Sequence, residues 1–84
     1  MVIVDVLPKE RYGEVQGFYN TVGYLKKIEE ADKVVGAIFQ NRIIGAARLT
    51  SEEDVFVLRG VQIALFFQRQ GIGTRMFNYC PLLD

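Results

Sequence analysis

Between Val34 and Leu65 the chain carries three runs of strand-forming residues separated only by short polar turns. Val34, Val35, Ile38 and Phe39 make the first run, which stops at Gln40-Asn41-Arg42, a tight turn in which Asn41 can take a positive φ. Ile43, Ile44, Ala46, Ala47 and Leu49 make the second, closed by Ser51-Glu52-Glu53-Asp54. The third is long, Val55 to Leu65, and is broken by Gly60. Consecutive runs joined so briefly specify an antiparallel meander.

What precedes the meander reads as a strand and a helix. Val2 to Leu7 is short and rich in β-branched residues. Pro8 suits a first helical turn, where its missing N–H costs nothing. Tyr12, Val15, Phe18, Tyr19 and Val22 then recur at helical spacing, which predicts a helix from Arg11 to Val22 with the aromatics as core and rim. Gly13 and Gly17 weaken it by about 1 kcal/mol each relative to alanine, so tertiary contacts must support it. Gly23 is its expected end. Leu25, Ile28 and Ala31 fit either a short helix or a loop between Tyr24 and Asp32.

At 84 residues there is room for one domain. Such a chain buries only about 60% of its unfolded surface, so stability is marginal and self-association is open from the start. Ten basic and ten acidic residues cancel, giving no electrostatic footprint for nucleic acid or an anionic membrane. Histidine is absent, which removes the commonest metal ligand and general base. The single Cys80 allows no disulfide within the chain and no zinc pair, and reads as a small buried hydrophobe. Met1 to Asp5 shows no signal-peptide pattern, and no apolar run has the length of a membrane span. A cytoplasmic protein is the expectation.

After the meander, Gln68-Arg69-Gln70-Gly71-Ile72-Gly73-Thr74 leads into Ile72, Met76, Phe77 and Tyr79, an apolar set at helical spacing that Pro81 stops. Strand, Gly-x-Gly, helix is a recipe for binding phosphate. The glycines let backbone approach an anion, and the first N–H groups of a helix have no partner inside it. Two common phosphate loops do not fit. A Rossmann turn needs a third glycine where Met76 stands, and a P-loop needs Gly-Lys-Ser/Thr where the chain has Gly73-Thr74-Arg75.

The segment instead resembles the pyrophosphate loop of the GNAT N-acetyltransferases, Gln/Arg-x-x-Gly-x-Gly/Ala, at every fixed position from Gln68 to Gly73. Val34 to Leu49, with its Ile44-Gly45-Ala46 step, is similar to that family's second and third strands, and Val57 to Ile63 to its fourth. The resemblance spans the chain and implies an acyl-CoA N-acyltransferase-like fold of α/β (α+β) class. Its sheet would be mostly antiparallel with about four strands and flanking helices, residues 1–84 forming a single partial domain that ends after the third family helix. It also implies acetyl-CoA as cosubstrate and an unknown amine as acceptor, acetylated by direct attack of the neutral amine on the thioester. Backbone N–H groups of Gln70, Gly71, Ile72, Gly73 and Thr74 would hold the pyrophosphate, flanked by Gln68 and Arg69. Gln62, Ile63, Ala64 and Leu65 would lie along the pantetheine arm, with the Ile63 N–H as oxyanion donor.

The chain departs from the family where Leu65 replaces a common proline, and where the fifth strand, fourth helix and tyrosine acid would follow. No general base stands out: Glu52, Glu53 and Asp54 read as solvated surface, and Gln62 and Tyr79 are neutral relay candidates. Arg48 and Arg59 read as edge charges. Cys80, at the far end of the helix, is a poor nucleophile. The functional expectation is therefore an acetyl-CoA-dependent N-acetyltransferase with weak or no turnover as an isolated monomer, the alternative being a non-catalytic remnant that binds CoA or self-assembles. Residues Val55 to Phe67, read as an uncovered apolar edge, imply a homodimer or higher assembly burying Phe66 and Phe67.

Overall fold

The computed structural model describes residues 1–79. Four strands form one antiparallel sheet in sequence order: β1 (Ile3–Val6), β2 (Lys33–Phe39), β3 (Arg42–Glu52) and β4 (Val55–Ile63). Helix α1 (Tyr12–Thr21) connects β1 to β2, and α2 (Ile72–Tyr79) follows β4.

The meander is built as the sequence predicts, with tighter turns. Gln40 and Asn41 have φ of 51° and 65°, and Glu53 and Asp54 have 48° and 68°. Paired left-handed residues give a two-residue turn whose twist matches that of the flanking strands. Ser51 and Glu52 therefore belong to β3 rather than to the turn. At the other end β4 stops at Ile63, and Leu65–Phe67 curl into a 3-10 turn instead of prolonging the strand to Leu65.

The two helices cover opposite faces of the sheet. Val15 and Tyr19 of α1 are fully buried against Leu7, Val34 and Ala46. Ile72 and Met76 of α2 pack on Val35, Ala37, Ile44 and Ala47. Alternate strand residues serve alternate faces, and with both faces covered β2 and β3 read as near-continuous apolar runs. Phe77, grouped with the apolar set of α2 by spacing, points outward and is exposed.

Helix α1 starts at Tyr12, one residue later than expected, because Pro8 opens a 3-10 turn over Lys9–Arg11 with the Arg11 N–H donating to the Pro8 carbonyl at 3.0 Å. Gly23 ends it with φ of 81°, its N–H donating to Asn20 and that of Tyr24 to Tyr19, a Schellman cap. Tyr24 to Asp32 resolves as loop, fastened by the Ile28 N–H donating to Gln16 Oε1 at 3.0 Å and the Tyr12 hydroxyl donating to the Asp32 carbonyl at 2.7 Å.

Arg48 is not the edge charge that the sequence suggests. It is buried beneath that loop, and Nη1 donates to Asp32 Oδ2 at 3.2 Å. Asp32 Oδ2 also accepts the Glu29 N–H at 3.0 Å, so one carboxylate holds the loop and neutralises the guanidinium. Strand alternation puts Arg48 on the α1 face with Ala46, and burial there requires a charge partner. Arg59, directly across from it on β4, is exposed and pairs with Glu52 at 2.8 Å.

Helix α2 is tied to the start of the chain. Arg75 Nη2 donates to the Val2 carbonyl and the Tyr79 hydroxyl to Asp5 Oδ1, both at 2.8 Å. The readings of Cys80 as a buried hydrophobe and of Pro81 as the helix stop lie outside the described residues.

Candidate functional site

The site grows from a defect in β4. Opposite Ala47 the register slips, and Gly60 sits there with φ of 62°. Two tyrosines make this bulge specific. The Tyr19 hydroxyl donates to the Gly60 carbonyl at 2.9 Å, and a Cβ on Gly60 would fall 2.6 Å from the Tyr24 hydroxyl oxygen. A bulge re-aims the residues that follow it. Burial drives the Tyr19 hydroxyl well above the ordinary tyrosine pKa, so it stays a neutral donor.

Beyond the bulge, Ile63 lies opposite Gly45, and the next N–H, that of Ala64, donates to the Ile44 carbonyl of β3 at 2.8 Å. Bonded and non-bonded pairs alternate along an antiparallel ladder, so the N–H and C=O of Ile63 face away from β3. The carbonyl confirms it by accepting from Gln68 Nε2 at 3.0 Å. The Ile63 N–H is thus directed off the edge of the sheet that is open among the described residues.

Residues 68–74 form a compact connection into α2. Arg69 and Gly71 have φ of 63° and 76°, Gln70 Nε2 donates to the Phe66 carbonyl at 3.4 Å, and the first helical bond runs from the Arg75 N–H to the Gly71 carbonyl at 3.0 Å. Among the described residues, no N–H from Gln70 to Thr74 reaches a protein acceptor. Gly73, like Gly13 and Gly17 of α1, is not required by packing among the described residues. Its φ is not left-handed, and a Cβ there would meet no atom within 4 Å. The residue keeps a space open beside unpaired N–H groups at a helix N-terminus, a fit for a phosphate group.

A cavity of about 460 Å³ adjoins β4 on the α1 side, lined by Phe18, Thr21 and Val22 at the end of α1, Ile43 of β3, residues 62–65 and Gln68. None of these side chains is ionisable. The sequence-predicted residues therefore divide into two adjoining groups. Gln62, Ile63, Ala64, Leu65 and Gln68 line the cavity, while Arg69, Gln70, Gly71, Ile72, Gly73 and Thr74 make the loop and first helical turn. The Ile72 side chain is buried in the core, which leaves only its backbone for a ligand.

Other candidates fall elsewhere. Glu53 and Asp54 sit at the hairpin tip, and the Tyr79 hydroxyl is engaged by Asp5. Lys26, Asp32, Arg48, Glu52 and Arg59 line a separate cleft of 320 Å³ in which Asp32 pairs with Arg48 and Glu52 with Arg59. Sequence reasoning missed Phe18, Thr21, Val22 and Ile43 as lining, and Tyr19 and Tyr24 as the clamp on the bulge. An isolated glycine in a strand was the one available signal for the bulge.

Solved structures that share this architecture include acetyltransferases. A ribosomal-protein-alanine N-acetyltransferase from Brucella melitensis superposes with a TM-score of 0.77 at 11% identity, over 98% of this chain and 70% of that one. A GNAT family acetyltransferase from Staphylococcus aureus gives 0.67 at 14%, over 98% and 76%. The chain has the GNAT acetyltransferase fold. Arabidopsis thaliana Naa50, in complex with the bisubstrate analogue CoA-Ac-MVNAL, matches this GNAT-fold chain with a TM-score of 0.70 at 18% identity, over 98% of this chain and 63% of that one. No protein-family model and no curated protein matches the sequence. The likeness is one of fold, and it extends from β1 through α2.

Proposed function

We propose that this chain binds acetyl-CoA with the pyrophosphate on residues 70–74 and passes the acetyl group to an amine in the cavity beside β4. The observation that carries the reading is the run of N–H groups from Gln70 to Thr74 entering α2, none of which reaches a protein acceptor among the described residues. Acetyl-CoA supplies an activated acetyl thioester. The N–H groups of Gln70 to Thr74 hold its diphosphate, with the exposed Arg69 at hand as a countercharge. Residues 62–65 flank the pantetheine arm, and the outward Ile63 N–H meets the thioester oxygen. In the transfer an N–C bond forms, the C–S bond breaks, and the proton shed by the amine balances the departing thiolate.

Calorimetry of CoA binding tests this. Gly73→Glu places a like charge in the phosphate path and is expected to weaken CoA at least tenfold with the melting temperature unchanged. Undiminished affinity overturns the assignment. No ionisable side chain among the described residues lines the cavity, so proton transfer relies on water and turnover by the 84-residue chain is expected to be slow, an acid or base being worth about 10²–10⁴-fold. The same feature favours the second reading, a CoA-binding module without turnover. Acetylation assays on the purified chain separate the two.

Self-association belongs to this reading. Leu65 and Phe66 are 83% and 85% exposed beside β4, an edge strand among the described residues, and a second copy could cover both. Phe67 is no part of that surface, because its ring packs on Phe39 with centroids 5.3 Å apart.

A further inference from the structure

We infer that the amine accepted beside β4 is a monoamine carrying an uncharged apolar group next to its amino-bearing carbon, and that polyamines and amino sugars are excluded. The inference rests on the reading above for the position of the acetyl group, but its argument is the lining of the cavity. About a quarter of the chain is charged, yet among the described residues no charged side chain borders this space. Its walls are Phe18, Val22 and Ile43, and the Thr21 hydroxyl already donates to the Gly17 carbonyl at 2.9 Å. Gln68 Nε2 likewise donates to the Ile63 carbonyl. That leaves Gln62, whose side chain makes no hydrogen bond to the described residues, as the side chain with both its donor and its acceptor uncommitted and able to receive one amino group. A site with one polar handle and apolar walls orients one polar group and desolvates the remainder.

The surroundings point the same way. Phe18, Thr21 and Ile43 also border the neighbouring depression, where the charges are Glu14 and Arg42. Arg11 grips the Glu14 carboxylate with two bonds of 3.0 Å and holds its pKa below the usual range, so that carboxylate is occupied. Arg42 has no ion pair among the described residues and repels a second cationic group. A further ammonium would find no anion here and a cation at the exit. A polycation must bury or strand its extra charges, whereas a monoamine deprotonates once and enters.

The test is an NMR titration of the chain with phenethylamine and with spermidine, each with and without saturating CoA, reading the resonances of Phe18, Val22 and Ile43. Phenethylamine is expected to shift them and to bind at least tenfold tighter than spermidine. Thr21→Asp, at an exposed position that leaves the fold intact, should reverse the preference, and Gln62→Leu should weaken phenethylamine at least fivefold. Equal or tighter binding of spermidine, or no shift of the three resonances by millimolar phenethylamine, overturns the inference. Failure of CoA to bind while phenethylamine still shifts these residues would sink the cofactor assignment and leave the cavity's selectivity standing.

Discussion

Strands β2 and β4 draw on the same residue types, β-branched and aromatic, but live in different surroundings. Val34, Val35 and Ala37 of β2 have no exposed surface, whereas Val55, Phe56 and Val61 of β4 are 58%, 46% and 41% exposed. Position in the sheet accounts for the contrast. Strand β2 has a neighbour on each side and a helix on each face, while among the described residues β4 pairs with β3 alone. Stability is concentrated around β2 and β3, and the groups left free to meet a ligand are collected along β4 and the loop after it. Low local stability is where binding surfaces are usually drawn from.

The largest expected effect comes from breaking the protected side. Asp32→Ala removes the carboxylate paired with Arg48 and leaves a buried guanidinium without it, at a cost of about 3–5 kcal/mol. Urea denaturation should show most of this recovered in the double variant Asp32→Ala, Arg48→Met. Next comes the bulge. Gly60→Ala forces a side chain into left-handed backbone and into the Tyr24 ring, and should lower stability by about 1–3 kcal/mol in the same experiment.

Phe66 and Phe67 sharpen the contrast within one turn. Phe67→Lys gives up the contact with Phe39 and should destabilise by about 1–3 kcal/mol. Phe66→Lys touches an exposed ring, so thermal stability should stay within about 0.5 kcal/mol. Sedimentation at micromolar concentration should show that Phe66→Lys nevertheless dissociates any assembly, and a wild-type chain that runs as a monomer refutes self-association. The smallest effect is at Glu14. Its carboxyl is held below the usual range by the hydrogen bonds from Arg11, so its contribution is present above the ordinary carboxylate pKa and lost as pH falls through the lowered value. Glu14→Gln should cost a little near neutral pH, and the difference from wild type should vanish in acid.

The meander, the end of α1 at Gly23 and the loop at 68–74 were legible because each rests on local rules: strand-forming runs, a left-handed glycine, a strand feeding a helix through Gly-x-Gly. What was not legible depends on distant residues. Arg48 sits in an ordinary strand pattern, and only its partner Asp32, 16 residues earlier, explains its burial. The loop from Tyr24 to Asp32 is set by side chains of α1 and β3 rather than by its own periodicity. A third of the residues lining the cavity belong to the end of α1, over 40 residues before the loop motif, and no spacing in the sequence links the two. The end of β4 eluded prediction because Leu65, Phe66 and Phe67 have strand-like composition but curl once the ladder stops at Ala64.

The bonds from Arg75 to Val2 and from Tyr79 to Asp5 join parts of the chain 73 and 74 positions apart. The helix that follows the loop is therefore seated on residues 2–5, and the proposed anion site has its shape only in molecules where these distant segments have met. Occupancy of the loop then reports on the whole chain rather than on the segment that touches the ligand. By linkage, saturating ligand should slow amide exchange in β1 as well as in α2, although β1 makes no part of the site.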